Sequence, residues 1–172
     1  MAATYTLISS NVLTSSAGSV TFSSIPSTYK DLVLRFGARR NSDAAFIRFN
    51  GLSTTSYSYL DIEGLGTVTN SSTNNYSYFI IYGGANNNSS DSANTFSNVE
   101  VYIPNYAGSV RKSYTCYMVR ENNTTTSAGN MLGINGGFFD SSAAISSLSI
   151  TAFNGGTFDA GSSFYLYGIK NT

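Results

Sequence analysis

The chain has 172 residues, 9 basic and 9 acidic side chains, no histidine, no tryptophan and one cysteine, Cys116. That composition excludes an imidazole general base, a Ser-His-Asp or Cys-His centre and a histidine or multi-cysteine metal site. Zero net charge argues against non-specific nucleic-acid binding, and no run reaches the 18 or more apolar residues of a membrane helix.

Period-two alternation runs from end to end, broken by turns rich in Gly, Asn and Ser. Tyr5 and Leu7 alternate in a first strand, and Val20 and Phe22 begin a second that stops at Pro26. Asp31–Arg39 is the clearest element: Leu32, Leu34, Phe36 and Ala38 face one way, Arg35 and Arg39 the other. Ile47 and Phe49 then flank Arg48 before Asn50–Gly51, a dipeptide suited to a positive-φ turn. Further strands are predicted at Tyr57–Glu63, Tyr76–Tyr82, Phe96–Ile103, Val110–Arg120, Met131–Phe139, Ala144–Phe153 and Ser162–Ile169.

Polar linkers are expected at Ser9–Ser19, Thr67–Asn75, Gly83–Asn94 and Asn122–Asn130. They are long for hairpins and suit Greek-key crossings. With no helical period, the reading is one domain over residues 1–172, an all-β antiparallel jelly-roll-like β-sandwich. Its core is expected to include Leu32, Leu34, Phe36, Ile47, Phe49, Val99, Val101, Ile103, Leu148, Ile150, Phe164 and Leu166.

Sites for chemistry are sparse. Asp61 and Glu63 share a strand face, which reads as solvated, and no partner carboxylate for glycoside hydrolysis is located. Asp43, Asp91, Asp140 and Asp159 fall in turns. The run Asn86–Asp91 is rich in oxygen but lacks the alternating carboxylates and distal glutamate of a calcium loop. Paired glycines at 83–84, 136–137 and 155–156 lack the Lys-Ser/Thr of a phosphate cradle. The Asn-x-Ser/Thr matches at Asn70, Asn75, Asn87, Asn88, Asn122 and Asn123 follow from composition, and without a signal peptide no glycosylation is assigned. Cys116, alternating with Tyr114 and Met118, reads as a small buried hydrophobe. The reading is therefore non-enzymatic, with no catalytic residue, cofactor or metal assigned.

Thirteen tyrosines are the informative excess, because a ring can pack while its hydroxyl stays wet. Sheet packing, a protein interface and sugar stacking all remain open for them.

The string Val20-Thr-Phe-Ser-Ser-Ile-Pro26, with Tyr29 and Asp31-Leu-Val-Leu-Arg35, resembles small β-rich virion proteins of tailed bacteriophages, familiar from phages of marine and freshwater bacteria including cyanobacteria. The likeness continues through Ile47–Gly51, Val101–Tyr106, Arg120–Asn122 and Ser163–Lys170. It implies a jelly-roll module with no catalytic residue to transfer. Two roles follow from it: a decoration or cement protein on the head exterior, contacting the major capsid protein, or a tail or fibre component contacting adaptor proteins and a host glycan. It also implies a homotrimer, display on the virion surface after synthesis in the host cytoplasm, and neither nucleic-acid nor membrane partners. Residues 67–75, 83–94 and 122–130 are the expected contact loops.

Overall fold

The computed structural model describes residues 4–42, 44–64, 68–81, 93–120 and 131–170. Twelve strands follow one another: β1 (Tyr5–Val12), β2 (Ser19–Phe22), β3 (Asp31–Ala38), β4 (Ala45–Phe49), β5 (Tyr57–Gly64), β6 (Val68–Tyr76), β7 (Phe79–Ile81), β8 (Ser97–Ile103), β9 (Lys112–Arg120), β10 (Met131–Phe139), β11 (Leu148–Ala152) and β12 (Ser163–Ile169). They form an eight-stranded sheet, β1-β12-β3-β8-β9-β10-β5-β6, and a four-stranded sheet, β2-β11-β4-β7. Every pairing among the described residues is antiparallel.

The strand order defines the fold. The quartet β1-β12-β3-β8 and the small sheet, with the chain alternating between them, are the two four-stranded layers of a jelly roll. Two inserted pairs, β5–β6 and β9–β10, extend the first quartet to eight strands. All twelve anticipated core residues are buried between the sheets. Aromatic side chains seal the contact: Phe49 of the small sheet packs edge-on against Phe139 and Tyr114 of the large one, at 5.3 and 6.1 Å between ring centroids. Tyr114 also lies 4.2 Å from Phe79.

The turn at Asn50–Gly51 has positive φ at both residues, 55° and 65°. Asn50 does more than turn the chain. Its Oδ1 accepts the backbone N–H groups of Ser146 and Ser147 (2.8 and 3.1 Å), and its Nδ2 donates to the Ala144 carbonyl (2.8 Å). These bonds occupy the start of the strand predicted at Ala144, so β11 begins only at Leu148.

Thr67–Asn75 was expected to be a linker, yet Val68–Tyr76 is strand β6 at the edge of the large sheet. An edge strand bonds to one neighbour only, so it can be polar throughout and show no apolar alternation. The first linker is also shorter than expected, because Ser9–Val12 continue β1. Tyr82, Asp43, Asn86–Asp91 and residues 122–130 lie outside the described residues.

Candidate functional site

Alternation gives each strand of the large sheet an inner and an outer set of side chains. The outer set falls into rows across the sheet. One row reads Ile62, Ile134, Tyr117, Glu100, Arg35, Tyr165. The next reads Leu60, Gly136, Thr115, Tyr102, Val33, Tyr167, Leu7. A third places Leu132 beside Val119 and Asn98.

These rows divide the outer face in two. Over β5, β9 and β10 it carries Leu60, Ile62, Tyr117, Val119, Leu132, Ile134 and Phe138, each 42–60% exposed. Over β1, β12, β3 and β8 it is mainly polar and aromatic, with Leu7 exposed at the β1 edge. There Arg35 Nε meets Glu100 Oε2 at 2.6 Å, and the guanidinium lies 5.5 Å from the centre of the Tyr5 ring. The hydrogen bond to Glu100 holds the Arg35 pKa above its ordinary value. Tyr165 and Tyr167 stack alongside, at 6.5 Å between centroids. A shallow groove of about 410 Å³ lies along the boundary, lined by Arg35, Asn98, Glu100, Tyr117, Met118 and Val119. At the strand ends beyond Phe138, Arg111 pairs with Asp140 at 2.7 Å.

The inner side of the same extension sets polar groups among core rings. Asp61 is only 2% exposed and accepts a hydrogen bond from Asn135 Nδ2, which also donates to the Ile80 carbonyl at 3.3 Å. Asp61 was expected on a solvated face. Its register partner Asn135 instead supplies the donor that makes burial of a carboxylate tolerable. Around the pair sit Tyr57, Tyr59, Tyr114 and Cys116, all buried. Burial pushes the Tyr57 hydroxyl up to about 12, despite the 2.8 Å hydrogen bond it accepts from the Phe49 N–H. Burial likewise raises the Tyr114 hydroxyl and the Cys116 thiol.

Each of these groups is held in its proton-bound, unreactive form at neutral pH. Cys116 is the buried hydrophobe that its alternation predicts. Among the described residues, no three of His, Cys, Asp and Glu gather as a metal set. Asp140 and Asp159 lie in loops as expected, paired with Arg111 and with Arg39 (3.4 Å) respectively. Asp43 and Asp91 lie outside the described residues, and the Glu63 side chain is not described.

The tyrosines divide between roles. Tyr57, Tyr59, Tyr106 and Tyr114 pack inside, while Tyr5, Tyr76 and Tyr117 are exposed. Sequence reasoning missed that Leu60, Ile62, Leu132, Ile134 and Phe138 share one exposed face. The available signal was that β5 and β10 carry large apolar residues on both faces, the pattern of strands covered twice. No protein-family model and no curated protein matches the chain.

Proposed function

We propose that this chain is a non-catalytic assembly protein of the virion exterior, a decoration or cement protein on the head of a tailed phage. The observation that carries the assembly role is the apolar half of the outer face. Its seven large side chains together expose on the order of 600 Å², at the upper end of what a monomer's largest patch presents, and such patches mark protein contacts. The virion setting rests on the resemblance carried by Val20–Arg35 and Ser163–Lys170. Repetition over a shell suits the arrangement, because many modest contacts on one particle add to a large total.

Deleting the gene and assaying shell integrity and host attachment separately tests the reading. The expected result is particles that attach normally but lose DNA or shell integrity more readily under heat or osmotic stress. Intact shells with lost attachment, or labelling confined to the tail tip, reject it.

One observation favours the tail-associated alternative. The groove between Arg35, Asn98, Glu100 and Tyr117 combines donors, acceptors and an exposed ring with no unpaired charge among its lining residues, which suits a neutral host glycan.

A further inference from the structure

The apolar half of the outer face has a shape as well as an area. Along β10 its side chains run Leu132, Ile134, Gly136, Phe138. Gly136 leaves a gap at its centre, bounded by its register partners Leu60 and Thr115. Its neighbour Gly137 is required by the fold, since a Cβ there would collide with the Ser58 carbonyl and the Tyr114 ring. Gly136 is not. A Cβ built on it meets only the Tyr114 carbonyl oxygen, at 3.9 Å, and its φ is not left-handed. A glycine costs stability inside a strand, so a position where the fold does not demand one points to something approaching from outside.

The charges around the patch constrain what approaches. Among its described residues the patch holds no charged side chain. The ion pairs that border it, Arg35–Glu100 and Arg111–Asp140, are each neutralised within the chain. A strongly charged partner would find nothing here to pair with. A second copy of this surface meets no like-charge repulsion, since it carries no net charge of its own. The exposed area, on the order of 600 Å² from the seven side chains alone, approaches the roughly 800 Å² per partner of a standard stable interface, with the polar surroundings as its rim.

We propose that a second copy of this chain packs face to face on the β5–β9–β10 half of the outer face, about a twofold axis. With the two β10 strands antiparallel and the axis level with Gly137, Phe138 of each copy seats in the Gly136 gap of the other. One self-complementary patch generates a pair. The trimer implied by the resemblance would require two different patches that fit each other around a ring. The pairing rests on this surface alone and is independent of where in a virion the protein sits.

Sedimentation equilibrium of the full chain, over about 1 to 100 μM, tests it against two variants. The wild type is expected to reach twice the 18.3 kDa chain mass. Ile134→Lys places a charge in the patch and should weaken pairing by roughly 100-fold or more. Gly136→Val fills the gap with a good strand former whose Cβ meets only the Tyr114 carbonyl oxygen, so it should also become monomeric while its Tm, compared at a concentration where the wild type is unpaired, holds or rises. This second variant keeps the test decisive if Ile134→Lys fails to fold. A monomeric wild type, a trimer, or a dimer that survives in folded Gly136→Val would overturn the proposal. The pairing uses the face that carries the assembly role, whereas the virion setting rests on the resemblance and is decided separately by particle assays.

Discussion

The two halves of the large sheet distribute polarity differently. In the β1-β12-β3-β8 quartet the inner face is aliphatic and aromatic, with Leu34, Phe36, Val101 and Leu166, while the outer face carries Arg35, Glu100 and Asn98. In the extension the inner face buries Asp61, Asn135 and the Tyr59 and Tyr114 rings, and the outer face exposes leucine, isoleucine and phenylalanine. The quartet reads as a sheet with one face in a core and one in water. The extension reads as a sheet with partners on both sides, one of them supplied by the chain itself. The small sheet's β4 and β7 cover the inner face of the inserted strands through Phe49, Phe79 and Ile80, while nothing among the described residues covers their outer face.

Truncation in the quartet should do the most damage. Leu34→Ala removes a fully buried side chain from the centre of the core and should cost about 2–5 kcal/mol, measured by urea unfolding. In the extension, the comparison predicts that a polar residue matters almost as much. Asn135→Ala deprives the buried Asp61 carboxylate of a hydrogen-bond donor and should cost about 1–3 kcal/mol, against near-neutrality if this face were a solvated one.

The pH dependence of stability should also come from the extension. The Tyr57, Tyr114 and Cys116 protons are held more tightly in the fold than in the unfolded chain. At neutral pH both states keep these protons and the stability is fully present. Above about pH 9 the unfolded chain begins to release them first, so stability should fall steadily as pH rises toward about 12, where Tyr57 itself ionises. Lys112 acts in the opposite sense. Its ammonium, buried against the carbonyls of Gly108, Val110 and Ser141, has a lowered pKa, so losing its proton removes a cost of folding. Denaturation midpoints at pH 7, 9, 10 and 11 in roughly equal ionic strength would separate the two, with a net decline expected. The smallest effect belongs to the quartet's outer face. Arg35→Ala breaks a half-exposed ion pair and should change stability by only about 0–1 kcal/mol.

Where local alternation decides the outcome, the sequence was readable. Leu32, Leu34, Phe36 and Ala38 against Arg35 leave one way for β3 to face, and Ile47 and Phe49 around Arg48 do the same for β4. The jelly roll itself followed from many strands joined by long crossings. In the extension alternation was present but ambiguous. Tyr57 and Tyr59 oppose Leu60 and Ile62, and neither set announces which is inside. That choice is made by a partner far along the chain, Asn135, 74 residues from Asp61. Strand β6 was hidden for a related reason: an edge strand with one neighbour has no need of an apolar period. The exposed apolar face was legible only as large apolar residues on both faces of β5 and β10; the tyrosine excess pointed elsewhere, since among the described tyrosines Tyr117 alone lies in that patch.

The central claim is that the apolar half of the outer face is covered in the working assembly while the polar half of the same sheet stays open. Hydroxyl-radical footprinting of the assembled protein, read residue by residue, compares the two halves in one experiment. The account predicts strong protection of Tyr117, Leu132 and Phe138, with Tyr5 and Leu7 reacting as their exposure in the single chain dictates. Equal reactivity of the two sets in the assembled state would contradict it.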